Sequence, residues 1–295
     1  MGAAGMLGHD VLRAGERAGD ELVGVDLPDL DITDRASVRE LIDRVGRERG
    51  ELDGVVNCAA WTDVDGAESS PDAARAVNAT GASVLASEAA RAGVPLLQLS
   101  TDYVFDGVAP LDAGGRARPY VESDPTGPRS VYGATKLEGE REVLSASPRH
   151  LVVRTAWLYG ADGKNFVETM LRLAGEQAAS GQKPSVRVVT DQVGSPTWGG
   201  HLAPALLGLL RRGVAGVVHL TGGGEVSWNG FAREIFRQAE VDCLVEAASS
   251  DELARAAPRP AWSALASERD DVLPMPPWQD GLAAYLAARA GMMRA

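Results

Sequence analysis

Short apolar runs alternate with longer amphipathic segments along the first half of the chain, and this alternation limits the fold more than any other sequence feature. The runs are apolar almost throughout, as expected for parallel strands that are covered by helices on both faces. Four strands are predicted: Glu21–Asp26, Gly54–Ala59, Val94–Ser100 and Leu151–Thr155. Four helices are predicted around them: Met6–Ala18, Ser37–Arg49, Pro71–Ala92 and Val131–Leu144. The pattern predicts an α/β protein built on a doubly wound parallel sheet.

The alternation becomes less regular after Thr155, which indicates a second region of the chain. Its predicted elements are helices at Phe166–Glu176, His201–Arg211 and Trp228–Ala239, strands at Val186–Val189 and Val217–Leu220, a proline-rich loop at Ala257–Pro277 and a last helix near Asp280–Ala290. We expect a dinucleotide-binding domain over residues 1–160 and a substrate-binding region, a small C-terminal cap, over residues 161–295. The chain is expected to return to the main sheet near residues 186–222.

Charge and composition exclude several classes of function. The 295 residues include 29 basic and 41 acidic side chains, for a net charge of −12, so the chain should repel the phosphate backbone of nucleic acids. Two cysteines, Cys58 and Cys243, are too few for a disulfide framework or a cysteine metal site. No apolar stretch approaches the roughly 20 residues of a membrane helix. We expect a cytoplasmic protein that binds neither nucleic acid nor membrane.

The first helix begins in a glycine-rich turn, GAAGMLG, with glycines at positions 2, 5 and 8. Glycines in such a turn let the backbone approach a pyrophosphate, which binds the free N–H groups at the start of the helix. The spacing alone fits a plain turn equally well. The strand predicted at Glu21–Asp26, however, ends in an acid where a ribose-binding carboxylate belongs, and together these features predict a Rossmann-like fold. No basic residue follows Asp26, which favours NADH over NADPH.

Only Met1 precedes this turn, although a dinucleotide-binding turn should follow a strand. The first strand of a doubly wound sheet is central, so without it two neighbouring strands have unpaired backbone groups. Either the true start of the chain lies upstream of Met1, or another segment fills the gap in the sheet; we favour the upstream start. A chain that begins at Met1 is expected to be poorly stable or to bind dinucleotide weakly.

A tyrosine and a lysine four residues apart, Tyr132 and Lys136, form a Y-x-x-x-K motif on a predicted helix. Residues at this spacing share one helix face, so the cation is expected to lower the pKa of the phenol and make it a proton donor to a developing alkoxide. Thr101 lies at the carboxyl end of a predicted buried strand, where open parallel sheets bind ligands. Its hydroxyl could hold a substrate carbonyl. A surface Tyr–Lys pair would give the same spacing.

These segments belong to a larger set of motifs in chain order: GAAGMLG (residues 2–8), LDITD (30–34), NCAAWTDVDGAE (57–68), STDYVFDG (100–107), YGATK (132–136), RTAWLYG (154–160), Asn165-Phe166 and DQVGSPT (191–197). As a set they resemble the dTDP-4-dehydrorhamnose reductase family of extended short-chain dehydrogenases/reductases. The resemblance runs from Gly2 to about residue 285. It implies NADPH- or NADH-dependent reduction of the 4-keto group of a dTDP-4-dehydro-6-deoxyhexose to the alcohol, in deoxysugar biosynthesis.

The resemblance also assigns roles to individual residues. Thr101 would hold the C4 carbonyl oxygen, Tyr132 would give it a proton, and Lys136 would tune Tyr132 and hold the nicotinamide ribose. The implied cofactor-binding residues are Gly2, Gly5, Met6, Leu7, Gly8, Asp26, Asp31, Ile32, Ala59, Ala60, Trp61, Tyr132 and Lys136. The implied substrate-binding residues are Thr101, Asp102, Tyr103, Trp157, Asn165, Gln192 and Arg259, the last over the diphosphate.

The departures from the family pattern and the rival functions are few. Some relatives form dimers in which carboxylates bind a metal ion. The matching residues here, Trp198–His201, contain no acid, so no structural metal is expected. The chain could be a monomer or a homodimer. A dihydrostreptose-type reductase cannot be separated from the rhamnose type. A dehydratase would need an Asp-Glu pair directly after the threonine, but here Asp102 is followed by Tyr103. The remaining alternatives are a sugar-nucleotide epimerase and a non-catalytic regulatory subunit on the same fold. The intact Thr–Tyr–Lys set disfavours the regulatory subunit.

Overall fold

The computed structural model describes residues 1–253 and 255–292. The strands are β1 (Val55–Asn57), β2 (Leu96–Thr101), β3 (Leu151–Thr155), β4 (Leu158–Tyr159), β5 (Ser185–Val189), β6 (Val193–Gly194), β7 (Thr197–Trp198), β8 (Gly216–His219), β9 (Val226–Ser227) and β10 (Leu244–Ala248). The helices are α1 (Met6–Ala18), α2 (Arg35–Arg49), α3 (Val64–Ser69), α4 (Pro71–Arg75), α5 (Ala82–Arg91), α6 (Val131–Ala146), α7 (Phe166–Ala179), α8 (Gly199–Arg211), α9 (Trp228–Gln238) and α10 (Trp278–Met292). A π-helical segment, Ala76–Gly81, joins α4 to α5.

The main sheet is parallel and has the order β1-β2-β3-β8. Alternate residues of its central strands enter two different cores: Leu97 and Leu99 pack with α1 and α8, whereas Leu96 packs with α2 and α5 on the other face. This two-sided covering explains why the strand sequences are apolar almost throughout. The predicted α/β fold with a parallel central sheet is confirmed.

The second half of the chain contributes to the main sheet and also forms a smaller body with its own core. Strand β8 pairs with β3 in the main sheet, while β5 pairs in parallel with β10. A third core joins α7, α9 and α10 to β5 and β10. The return to the main sheet therefore takes place at β8, and β5, which lies in the range where the return was expected, belongs to the smaller body.

The strand predicted at Glu21–Asp26 is wrong, because these residues form no strand. A slot of about 710 Å³ separates them from β1. Two backbone bonds anchor the segment, from the Ala3 N–H to the Val25 carbonyl at 3.2 Å and from the Leu30 N–H to the Asp26 carbonyl at 3.0 Å, and both Leu22 and Val23 are more than a third exposed. A segment becomes a strand only when its backbone hydrogen-bonds to an adjacent strand, and here the adjacent position in the sheet is empty. The apolar side chains lining the slot include Val11, Leu12, Leu41, Ile42, Val45, Val55, Leu207 and Leu210.

Helix α6 is held unusually close to the sheet and to the π-helical segment. Its first turn is capped by Ser130, whose hydroxyl accepts the Gly133 N–H at 3.1 Å. A Cβ atom on Gly133 would lie 2.2 Å from the Tyr103 carbonyl oxygen, and one on Gly139 would lie 2.1 Å from that of Asn78. Glycine is required at both positions for steric reasons, and the resulting approach brings the Y-x-x-x-K face of α6 against the end of β2.

Candidate active site

The glycine turn lies against the loop that follows β1. Gly2 has a φ of +72°, and a Cβ atom there would lie 2.5 Å from the Ala59 nitrogen; one on Gly8 would lie 2.1 Å from the Gly2 carbonyl oxygen. Gly5 precedes α1 without a side-chain cap, so the N–H groups of the first turn have no side-chain acceptor. Such a cradle fits the pyrophosphate of a dinucleotide, with Met6 and Leu7 in the first turn of the helix.

The predicted adenosine-side residues lie next to this turn. The Asp26 carboxylate accepts hydrogen bonds from the Ala4 and Leu27 N–H groups, each at 2.8 Å, so Asp26 is fixed at the turn as expected of a ribose-binding acid. Asp31 is exposed and accepts from the backbone and hydroxyl of Thr33. Ile32 is buried in the core beneath them.

Asn78, in the π-helical segment, joins the cofactor-side loop to the catalytic helix. Its side-chain oxygen accepts from the Trp61 N–H at 2.9 Å, and its amide donates to the Trp61 carbonyl and the Thr135 hydroxyl, both at 3.2 Å. These hydrogen bonds hold the predicted cofactor wall, residues Ala59–Trp61, against the turn of α6 that lies between Tyr132 and Lys136. Sequence reasoning missed Asn78, because an asparagine among the other polar side chains of the predicted helix Pro71–Ala92 gives no signal of its own.

Thr101, Asp102 and Tyr132 meet at the carboxyl end of β2. The Thr101 hydroxyl donates to the Asp102 carboxylate at 2.9 Å and accepts from the Tyr103 N–H at 3.2 Å. The Thr101 side chain lies close enough to the Tyr132 phenol to lower its pKa, and Tyr103 packs edge-on against Tyr132 with ring centroids 5.5 Å apart. The structure thus brings together the predicted hydroxyl and the predicted proton donor.

Burial controls the ionisation of this group of residues. It raises the pKa of Tyr132 to about 12, although Thr101 opposes the rise. The expected lowering by Lys136 does not occur in this structure, where Thr101 is the side chain that lowers the pKa of Tyr132 and the Lys136 ammonium donates to the Leu99 carbonyl at 2.6 Å. Burial likewise raises the pKa of Asp102 to about 6, and its second carboxylate oxygen is buried without a partner.

Lys136 is itself buried, and a chain of amides connects it to the loop after β1. The Leu99 carbonyl that accepts from Lys136 also accepts from the Gln98 side chain at 2.9 Å. Gln98 accepts from Asn57 at 2.8 Å, and the Asn57 side chain accepts from the Ala59 N–H at 3.1 Å. This network fixes Lys136 relative to the predicted cofactor wall.

Trp157 forms the boundary between the main sheet and the smaller body. Its φ of +47° is a left-handed conformation that is rare outside glycine, and such conformations cluster at functional sites. The ring stacks on Trp228 with centroids 3.5 Å apart, and its N–H donates to the Ser263 hydroxyl at 3.1 Å. These contacts hold the predicted sugar-side tryptophan rigidly.

The other predicted substrate residues are engaged by the protein. Asn165 caps α7 through the Glu168 N–H at 3.0 Å and donates to the Gly160 carbonyl at 2.7 Å, so both ends of its amide have structural partners. The Gln192 amide donates to Ser250 at 2.8 Å. Arg259 donates to the Asp65 carboxylate at 2.8 Å. Both charges affect the pKa of Tyr103, so this ion pair lies near the Tyr103 hydroxyl.

The model of the RmlD substrate binding domain family matches residues 1–290 of the chain. The chain belongs to this family. A dTDP-4-dehydrorhamnose reductase of Mycobacterium tuberculosis (strain ATCC 25618 / H37Rv) is 45% identical over 296 residues, which cover 98% of the chain and 92% of the relative. This confirms the resemblance on which the sequence interpretation depended.

Two solved structures extend the RmlD family likeness to the fold. A dTDP-4-dehydrorhamnose reductase from Clostridium acetobutylicum is 37% identical, with a TM-score of 0.86 and 97% of each chain covered. One from Bacillus anthracis, solved in complex with NADP, is 33% identical, with a TM-score of 0.88 and 97% of each chain covered. Family membership thus covers both the sheet that carries Thr101 and the smaller body that packs against Trp157.

Two other features of this RmlD-type chain concern metals and membranes. Over residues 1–253 and 255–292, no group of three or more His, Cys, Asp or Glu side chains is arranged to hold a metal ion. Within the same residues, no helix combines the length and the apolar character needed to cross a bilayer.

Proposed function

We propose that the chain reduces the 4-keto group of a dTDP-4-dehydro-6-deoxyhexose of the dehydrorhamnose type to the alcohol, with a nicotinamide cofactor as reductant. The observation that carries this proposal is that Thr101 and Tyr132 lie together at the carboxyl end of β2, both against Tyr103, with Lys136 one helical turn from Tyr132. A keto reduction needs a hydrogen-bond donor for the carbonyl and an acid for the developing alkoxide, and this edge supplies both. The names of the relatives support the same activity.

The proton chemistry follows from the environment of Tyr132. With a pKa of about 12 the phenol is neutral near pH 7 and holds the proton that the alkoxide must receive. To hold the carbonyl oxygen, the Thr101 hydroxyl turns away from Asp102, which it contacts at 2.9 Å in this structure. When bound, the nicotinamide cofactor supplies the hydride.

The sugar side of the site is formed by Asp102, Tyr103 and Trp157. The unpartnered oxygen of Asp102 is buried beside Thr101, which suits a hydroxyl of the sugar ring. Trp157 and Tyr103 offer rigid apolar surface at the entrance. Arg259, paired with Asp65 in this structure, would exchange that carboxylate for the diphosphate of the nucleotide.

The cofactor is proposed to be NADH rather than NADPH. Asp26 presents a carboxylate at the glycine turn, and the following residues, Leu27, Pro28 and Asp29, offer no positive charge to a 2′-phosphate. Since a relative has been solved with NADP, the two cofactors must be compared directly.

The test is one assay with a panel of dTDP-4-keto-6-deoxyhexoses, each with NADH and with NADPH, followed by the ultraviolet absorbance of the cofactor and by product analysis. We expect one cofactor oxidised per ketone reduced, faster with NADH, and no oxidation with dTDP-glucose, which lacks the ketone. Turnover of the sugar without net oxidation would instead indicate an epimerase. Absence of turnover with every sugar would contradict the proposal and favour a non-catalytic subunit. Preference for a branched ketosugar would assign the dihydrostreptose type.

A further inference from the structure

Three charged side chains are buried together behind the catalytic edge: Lys136 and Glu140 on α6, and Arg154 on β3. Their exposed fractions are 4%, 2% and 5%. Charges are buried in proteins only where partners compensate the loss of water, so a set of three beside an active site calls for a role. Of these three, the proposed reaction uses only Lys136.

Glu140 is the centre of this charged cluster. Arg154 donates to both of its carboxylate oxygens, at 2.9 and 2.7 Å, and the Ser100 hydroxyl donates to one of them at 2.5 Å. Ser100 belongs to β2, and the carbonyl of the preceding residue, Leu99, accepts a hydrogen bond from Lys136 at 2.6 Å. Helix α6 is therefore fastened to two consecutive residues of β2, and the residue that follows them is Thr101.

We infer that Glu140, held by Arg154, is a positioning residue for Lys136: it supplies the opposite charge that keeps the buried lysine ionised and fixes its helix against the strand that ends in Thr101. Its effect on the reaction rests on the proposed function, whereas its effect on Lys136 does not. Lys136 and Glu140 are four residues apart on one helix face. A surface lysine would need no such partner, because water would solvate its charge.

The electrostatics of the cluster give this role a measurable consequence. Burial lowers the pKa of Lys136 to about 8, and the charge of Glu140 is the largest effect that opposes it, followed by Cys58. The other groups that face the cluster are Tyr132 on the same helix, the Met1 amino group beside Cys58, and His219 of β8, which contacts Arg154 at 3.4 Å. Removing the Glu140 charge should lower the pKa of Lys136 further, so that it loses its proton near pH 7.

This change in the Lys136 titration can be measured without any assay of activity. The chain contains three lysines, Lys136, Lys164 and Lys183, so their side-chain signals in isotope-labelled protein can be resolved by NMR and assigned with a Lys136→Met variant. In Glu140→Gln we expect the titration midpoint of Lys136 to fall by about one pH unit or more. A midpoint within a few tenths of the wild-type value would overturn the inference.

The matched control is Glu88→Gln. Glu88 is equally buried, at 1% exposure, and pairs with Arg35, Arg39 and Arg91 on the far side of α5, away from the catalytic edge. Its removal should reduce stability as the removal of Glu140 does, but should leave the Lys136 midpoint unchanged. An equal fall of the midpoint in both variants would show that Lys136 responds to loosening of the fold, and would also overturn the inference.

If Glu140→Gln does not fold, the double variant Glu140→Gln, Arg154→Met takes its place, since replacing a whole buried ion pair is tolerated better than breaking it. It should also show a lowered midpoint, with a smaller fall than in the single variant, because the repulsion by Arg154 is removed together with the attraction by Glu140. In enzyme that is active, the alkaline limb of kcat/KM should move to lower pH, and kcat/KM on that limb should fall about tenfold for each pH unit that the limb moves, while the KM for the cofactor changes less. Absence of activity in the wild type would contradict the proposed function and leave the NMR result to decide the inference.

Discussion

An extended apolar segment of six residues, added ahead of Met1, should stabilise the chain markedly. The slot beside β1 has apolar walls on both sides. Its two edges are β1 and the extended residues Leu22–Val25, and neither is paired with another strand on the side that faces the slot. Six residues match the length of β2. The extension would also replace the buried Met1 ammonium, which donates to the Val56 carbonyl at 2.8 Å and whose pKa burial lowers, by a neutral peptide N–H.

The size of the effect follows from what the added strand would gain and lose. About four buried aliphatic side chains contribute about 2 kcal/mol each, and about six backbone hydrogen bonds contribute about 1 kcal/mol each. Ordering six residues costs about 1.5 kcal/mol per residue. The net gain is about 5 kcal/mol, which corresponds to a rise of roughly 10 °C in the melting temperature of a chain of this size.

Thermal denaturation followed by circular dichroism measures this directly. Three extensions of equal length should be compared with the unextended chain: a valine- and isoleucine-rich strand, a strand with alternating polar residues, and a glycine–serine segment. Because both faces of the slot are apolar, only the first should give the full rise. Equal midpoints for the apolar and the glycine–serine extensions would refute the reasoning that the slot accepts a strand.

Three further perturbations test other parts of the structure. The arginines around Glu88 lower its pKa to about 2, so the stability that its carboxylate contributes is present above about pH 4.5 and is lost as the pH falls toward 2. Glu88→Gln should therefore lower the free energy of unfolding in urea by about 1–2 kcal/mol at pH 7. This difference between the variant and the wild type should shrink below pH 4. Ser130→Ala should cost about 1 kcal/mol by the same method, because the cap of α6 is lost. Arg259→Met should raise the KM for the dTDP-sugar roughly tenfold with little change in kcat, and an unchanged KM would exclude the diphosphate contact.

The sequence revealed those parts of the fold and site that depend on local pattern. The apolar runs identified β2 and β3, and the four-residue spacing placed Tyr132 and Lys136 on one face, because both signals lie within a single element. The strand at Glu21–Asp26 was predicted from its own apolar run, but its existence depends on pairing with the strand that should precede the glycine turn.

Contacts between distant segments could not be predicted, for the same reason. The Glu140–Arg154 pair joins residues of two elements, and the direction of the Lys136 ammonium depends on a carbonyl 37 residues earlier in the chain. Asn165 caps α7 with its amide, and its place near the substrate stays a prediction. An asparagine that opens a helix and one that binds a ligand have the same sequence signature.

The most direct test of the proposed chemistry is the rate of ketone reduction in a Tyr132→Phe variant, measured in a single turnover with the preferred dTDP-sugar and cofactor. Loss of the phenolic proton should lower this rate by a factor on the order of 10²–10⁴, while cofactor binding, measured by fluorescence titration, remains close to that of the wild type. A variant that reduces the ketone at the wild-type rate would contradict the role of Tyr132 as the acid and, with it, the assignment of the site.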